Sequence, residues 1–425
     1  MGKWYRASAI VIGTALGVSI LAGCGSSSTG GNGGTASGLC KDIKIGTELP
    51  VSGTDAAVGL PTQYGVDLAV ALNKNSIGGG CNLADVVHKN DEGTSGPDPS
   101  IGASNVQQLI ADPSVVAIVG PFNSGVAKQE IPVVNSAGIV EISPSNTNPG
   151  LTKKEFADAN GINFAQLHPA GKPESYFRIP GTDDIQGKVD ADVALGAPIN
   201  AKTAFVVDDN TVYGKGLAAQ FTKEFQAQGG KIVGSTSITP QQISNLTSLA
   251  TTIVGKNPDV VFYGGVTSGG GGALKKDLVS QNGNMPMVGG DGIADDPAWL
   301  KTAGSAAVNT YGTVAAPDIS GLTGSAAQSF IASYKQQFPN ANLLPYSAMA
   351  YDAAMIEITA IKNLIAAGKP VTRANVRDQV ASLHYTGVTG SIYFDPNGDN
   401  AGNKVYSVYG VDSSGNWVFK QQVNG

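Results

Sequence analysis

Three loops of the chain carry residues able to hold a small polar solute. Asn123-Ser124-Gly125 follows the apolar run Val115 to Val119, and Ser143-Pro144-Ser145-Asn146-Thr147 closes the run that starts at Ile139. Such loops can offer backbone N–H groups and hydroxyls to a carboxylate without committing a full positive charge. Gly289-Gly290-Asp291-Gly292 sets one acid among glycines after Met287-Val288, where the side chain could face an ammonium group. Taken singly, loop serines and aspartates are most often turn formers; the three together suggest capture of a zwitterion or a related polar solute. Signs of catalysis are scarce. There is no G-x-S-x-G elbow, no G-x-x-x-x-G-K-[ST] phosphate loop and no H-E-x-x-H helix, and His88, His168 and His384 lie far apart without a second metal ligand at helical spacing. Gly264-Gly265 and Gly269 to Gly272 follow a strand and precede a helix, yet they lack the spacing of a dinucleotide loop. The expectation is a binding protein, not an enzyme, with no cofactor, no metal and no catalytic residues.

These loops need strands behind them, and the sequence supplies the strands. Short β-rich runs alternate with segments of helical period from Lys41 onward, the pattern of parallel sheets covered by helices. Strands are expected at Asp42 to Thr47, Leu83 to Lys89, Val115 to Val119 and Ile139 to Ser143. Tyr64, Leu68 and Leu72 mark a helix between the first two, and Val106, Leu109 and Ile110 mark another that stops at Asp112-Pro113. Leu151 to Ser175 reads as an inserted surface loop, and Tyr176 to Ile179 as a strand crossing into a second lobe. There the rhythm resumes, with strands at Thr203 to Val207, Asp259 to Tyr263 and Met287-Val288 and helices around Leu217 to Phe225 and Ile243 to Ile253. Helices at Ala326 to Phe338 and Tyr346 to Ala367 precede a tail, Gly390 to Phe419, that reads as antiparallel edge strands. The chain of 425 residues, 41% hydrophobic and 14% charged, is long enough for two such α/β units. A formal net charge of −6 without a basic block argues against nucleic acid and against adhesion to a membrane by a polybasic face.

The first residues read as processing signals. Lys3 and Arg6 precede an apolar run, Ala7 to Ile20, that is too short and too broken by glycine to span a bilayer. Leu21-Ala22-Gly23-Cys24 resembles the lipobox of bacterial lipoproteins, which implies cleavage before Cys24 and lipidation of its thiol. Residues 24–40 are then a Gly/Ser-rich tether, and loss of residues 1–23 takes away two bases and no acid, leaving a formal net charge of −8. Export leaves Cys40 and Cys81 in an oxidising compartment, each just before an expected strand, so a disulfide between them is expected.

Read in order, Leu49-Pro50-Val51-Ser52-Gly53, Val119-Gly120-Pro121, Ile142 to Thr147, Asp208 to Gly216, Phe262 to Gly265, Gly290-Asp291-Gly292, Tyr351 to Ala354 and Gly390 to Asp395 resemble the leucine/isoleucine/valine-binding proteins. The resemblance runs from Lys41 to the C-terminus. It implies the type I periplasmic binding protein fold: an α/β protein of two Rossmann-like lobes, with parallel sheets flanked by helices and three crossings as the hinge. Residues 41–175 with 315–385 would form the N-terminal lobe, and 176–314 with 386–425 the C-terminal lobe. It also implies that Ser124, Ser145 and Thr147 hold an amino-acid α-carboxylate, that Asp291 meets the α-ammonium, and that Tyr213 and Tyr346 cover the ligand. Val58 and Val266 stand where tyrosines are expected in branched-chain binders, so the side-chain pocket is shaped differently. The implied role is that of an extracytoplasmic, membrane-anchored solute-binding lipoprotein of an ABC importer. It would be a monomer that delivers an amino acid, branched-chain or related, to a membrane permease. A binding protein for amides, urea or small aromatic or carboxylic acids, or a ligand sensor, is the alternative.

Overall fold

The computed structural model describes residues 43–425. Two sheets dominate it. The first has five parallel strands in the order Val87–Lys89, Lys44–Glu48, Val115–Val119, Val140–Ser143 and Tyr176–Arg178. All five residues of Val115–Val119 are buried, as an unbroken apolar run must be when helices cover both faces. On one face lie helices Ala56–Asn73, Pro345–Ala366 and Arg373–Ser382, and on the other Pro99–Ala111 and Ser124–Ala137. The helix starts and stops are written locally. Asp98 Oδ1 accepts from the Ser100 and Ile101 N–H groups at 2.7 and 3.3 Å with Pro99 next in line, and Gly138 ends the following helix at φ 66°.

The second sheet has seven strands in the order Trp417–Asn424, Val405–Val411, Thr310–Val314, Met287–Gly289, Val260–Gly264, Thr203–Asp208 and Lys231–Ser237. The first two are antiparallel additions, as expected of the tail, and the rest pair in parallel. Helices Asp183–Leu195 and Val212–Ala227 cover one face, where Phe221 stacks on Phe262 at 3.9 Å. Thr247–Lys256, Gly271–Ser280 and Pro297–Ala303 cover the other. Among the described residues no helix is long and apolar enough to cross a membrane.

Three expectations need correction. Tyr176–Arg178 is the fifth strand of the first sheet, paired with Val140–Ser143, and the chain crosses only after Arg178. Residues 386–392 also stay with the first unit, because Asp352 on the long helix accepts from Val388 N–H, Thr389 N–H and the Thr389 hydroxyl at 2.9, 2.8 and 2.6 Å. Residues 151–175 are not a bare surface loop: short helical turns bury Leu151, Ala157, Ile162 and Leu167 in the core beneath Ser124–Ala137. Cys24 and Cys40 lie outside the described residues, while Cys81 is buried near the bridge that pairs Ile43 with Leu83.

Candidate functional site

The expected ligand-holding loops all emerge at the facing ends of the two sheets. Ser124 opens the helix Ser124–Ala137 with its hydroxyl buried 3.4 Å from the Asn148 N–H. The next loop is tied back to its neighbours. Ser143 Oγ donates to the Pro121 carbonyl at 2.7 Å, and Ser145 Oγ and Asn146 Nδ2 both donate to the Phe122 carbonyl, at 2.8 and 2.7 Å. Ser145 therefore spends its proton inside the protein and can only accept from a solute. Thr147 differs: its hydroxyl is buried close enough to the Asp183 carboxyl to pull that group down yet makes no well-formed bond, and the side-chain oxygen of Asn123 is buried without a partner. Unmade bonds of this kind are costly inside a protein and mark positions where a further partner belongs.

Across the gap, Asp291 sits in the loop after Met287–Gly289 and is gripped by three donors. Gln186 Nε2 and the Tyr213 hydroxyl reach Oδ1, each at 2.9 Å, and the Tyr346 hydroxyl reaches Oδ2 at 2.8 Å. Tyr346 belongs to the first lobe and Tyr213 to the second, so the carboxyl joins the two halves. Burial pushes the Asp291 carboxyl up, and Tyr346, Tyr213 and Gln186 pull it back. Burial, with the nearby Asp291 charge, holds both tyrosines well above their ordinary value, so each stays a donor. Gly290 admits this arrangement, since a Cβ there would lie 2.7 Å from the Tyr213 hydroxyl.

Space is divided around that carboxyl. A small hollow of about 20 Å³ is lined by Val58, Phe122, Asp291 and Tyr346. Next to it, a cavity of about 340 Å³ runs between the lobes past Asn123, Gly125, Tyr213 and Val266. Tyr213 lines the larger space and its hydroxyl reaches Asp291, which lines the smaller. Val58 and Val266 thus border the cleft at opposite sides, with no aromatic ring at either position. Ser145 is buried against the backbone of Phe122, whose ring packs edge-on to Tyr346 with ring centres 5.7 Å apart.

Phe122, Gln186 and Asp209 take part in this region without having been singled out for it. Asp209 accepts from the Val266 N–H at 2.9 Å and from Thr211, bracing two loops of the cavity wall. The Gly264 to Gly272 stretch has a structural reason for its glycines: a Cβ on Gly265 would meet Asp209 at 2.7 Å, and one on Gly271 would meet the Tyr263 ring at 2.4 Å. The histidines are engaged elsewhere, His88 with Thr47 and Asp67, His168 with Glu174 and His384 against Tyr393. Among the described residues no cluster of His, Cys, Asp and Glu is arranged to hold a metal ion.

Two α/β lobes with an acid, two phenols and a buried threonine hydroxyl meeting at the seam make a cleft able to hold a small polar solute. The chain belongs to the periplasmic binding protein family, whose model matches residues 42–416. It is similar to the Leu/Ile/Val-binding protein BraC3 of Rhizobium johnstonii, with 30% identity over 61% of this chain and 64% of that one. The chain thus spans a little under two thirds of the length of this curated relative. Among solved structures, the leucine-binding protein LivK of Thermotoga maritima superposes with a TM-score of 0.75 at 22% identity, over 90% of this chain and 99% of that one. A solute-binding protein of an ABC transporter from R. palustris, solved in complex with benzoate, gives a TM-score of 0.71 at 21% identity, covering 90% and 96%. At these identities the likeness is one of fold, and it agrees with the type I periplasmic binding architecture expected from the resemblance.

Proposed function

We propose that the chain captures an α-amino acid, branched-chain or related, between its lobes, without converting it, and hands it to an ABC permease. The observation that carries this reading is the Asp291 carboxyl, buried at the seam, gripped from both lobes and, among the described residues, in no ion pair. An ammonium group there would neutralise it, while Ser124, Thr147 and the nearby N–H groups would receive a carboxylate at the other end of the same solute. A solute that bonds to both lobes stabilises the closed arrangement by its differential contacts. BraC3, named for leucine, isoleucine and valine, supports the same class.

The benzoate-bound relative keeps a second reading in view, that of a small carboxylic acid. Asp291 speaks against it, because an acid without an ammonium leaves that carboxyl unneutralised, and Asp183 and Asp190 lie close enough to Asp291 to raise their own carboxyls further. Melting of the purified protein with L-leucine, L-isoleucine, L-valine, an amide and benzoate decides between the readings. A ligand that binds only the folded form raises the melting temperature. The amino acids are expected to do so, and a rise with benzoate alone would overturn the proposal.

Anchoring at Cys24 outside the cytoplasm, a monomeric state and a Cys40 to Cys81 disulfide belong to the same proposal. The parallel bridge between Ile43 and Leu83 supports the last, since it sets the two strand entrances side by side. Mass spectrometry of the membrane fraction, with and without reduction, tests both the diacylglyceryl adduct and the bridge. A sensor role would show itself by capture of a signalling receptor in place of a permease.

A further inference from the structure

The lobes also meet away from Asp291, at the tip formed by residues 266–268. This tip is pinned from behind by two acids of its own lobe: the Val266 N–H donates to Asp209 at 2.9 Å, and the Thr267 hydroxyl donates to Asp296 at 2.5 Å. In front, the Ser268 hydroxyl crosses to the first lobe and donates to Asp55 Oδ2 at 3.3 Å. Asp55 is 5% exposed at the start of helix Ala56–Asn73, and its side chain makes no capping bond to that helix. Gly96 of the first lobe presses on the same serine, since a Cβ there would lie 3.1 Å from Ser268 Oγ. The groups that face Asp55 are Glu92 and Asp91 from its own lobe and Asp209, Asp296 and Tyr263 from the other. The charges bearing on it most strongly are all acidic.

We propose that Ser268 and Asp55 form a closure latch at the edge of the interlobe cavity, apart from Asp291 and its three donors, and that shutting the lobes through this latch takes up protons. The inference rests on the two lobes parting and closing, and not on which solute they hold. Its direction follows from the setting. Burial lifts the Asp55 carboxyl to about 7, with Glu92, Asp296 and Asp209 adding to the rise and the Ser268 hydroxyl opposing it. Once the lobes part, Asp55 faces water and returns toward the ordinary aspartate value of about 4. Between roughly pH 4 and pH 7 the closed form therefore holds a proton that the open form releases. Raising the pH through that window favours opening, by up to about tenfold per pH unit for this one group, and the effect levels off above it.

Small-angle X-ray scattering of the unliganded protein at about pH 5 and about pH 8 reads the balance directly. The open-to-closed ratio is expected to rise by about tenfold or more at the higher pH. In Asp55→Asn the amide oxygen still accepts from Ser268 but nothing titrates, so the ratio should lose most of that pH dependence while circular dichroism stays unchanged. Ser268→Ala removes the donor and should enlarge the open fraction at both pH values. Identical pH dependence in the wild type and Asp55→Asn overturns the latch, and so does an unchanged ratio in Ser268→Ala. A parallel titration with L-leucine, expected to weaken several-fold over the same range, bears on the solute; failure of L-leucine to bind would count against the amino-acid reading while the scattering still decides the latch.

Discussion

At the scale of single residues, Asp291 and Thr147 make opposite demands on the empty protein. Asp291 is a buried acid whose charge is tolerated through three donated hydrogen bonds. Replacing it by Asn removes the charge and keeps the shape, so the unliganded protein should melt no lower. Amino-acid binding should weaken by roughly 2–5 kcal/mol, as when one partner of a buried charge pair is lost. Calorimetric titration alongside a melting curve reads both effects, and unchanged affinity for an α-amino acid would remove the assigned role. Thr147→Val tests the other end. Beside the Asp183 carboxyl the hydroxyl makes no well-formed bond in the empty protein, so its loss should cost little stability, while a carboxylate that it serves should bind about 1.5–3 kcal/mol more weakly. An equal loss in stability and affinity would point to a purely structural threonine. Asp291 and Tyr213 could be singled out because each sits in a short run that resembles a known family, and Tyr346 by its position alone. Gln186 was not: its amide finds Asp291 only because helix Asp183–Leu195 packs against the strand ends beside Gly290, and no local pattern announces that packing.

Among the elements, the crossings carry the sharpest test. Arg178 ends the fifth strand of the first sheet, fully buried, and its Nε donates at 2.7 Å to Asp399, on the third crossing, where the chain returns from Ser391–Ile392 to strand Val405–Val411 of the second sheet. The same guanidinium bonds the Asn148 carbonyl at 2.6 Å and the Thr152 hydroxyl, while Arg178 N–H donates to the Gly398 carbonyl and the Arg178 carbonyl accepts from Asn400 N–H. Two crossings are thereby laced to the 148–152 turn. Burial pushes the Asp399 carboxyl up, yet Arg178 more than offsets this and holds it below the usual range. Arg178→Met would strand that carboxyl, and such a loss costs about 3–5 kcal/mol. Urea unfolding should show a midpoint lowered to match, and a midpoint near the wild type would show the pair to be dispensable. Most elements could be read from the sequence, because Val115–Val119 or Val260–Gly264 leaves little choice but a strand covered on both faces. Tyr176–Arg178 was assigned to the wrong sheet since three residues cannot say which neighbour they pair with. The 151–175 segment misled through its Gly, Asn and Pro content, which hid the spaced apolar residues that reach the core.

At the scale of the whole molecule, the buried acids among the described residues outnumber the buried cations. Glu48, Asp91, Glu130 and Glu141 lie in the first lobe with most of their oxygens unpartnered, and Glu357, Asp183 and Asp190 are similarly placed. Burial lifts every one of these carboxyls, Glu48 to about 7 and Asp91 to about 9, with neighbouring acids adding to the rise in Asp91, Glu130 and Glu141. The folded chain therefore keeps protons that the unfolded chain gives up above the ordinary carboxylate range of about 4. Stability contributed by a raised acid is complete below its unfolded value and is lost as the pH climbs toward the folded one. Asp399 runs the other way, but its contribution is already complete above about pH 4 and does not offset the trend at higher pH. The melting temperature should therefore fall steadily from about pH 5 to about pH 9, with the steepest loss before the last of these groups ionises. Scanning calorimetry of the unliganded protein across that range checks the sign. A flat or rising melting temperature would mean that these acids meet cations or water in the folded state and do not stay protonated.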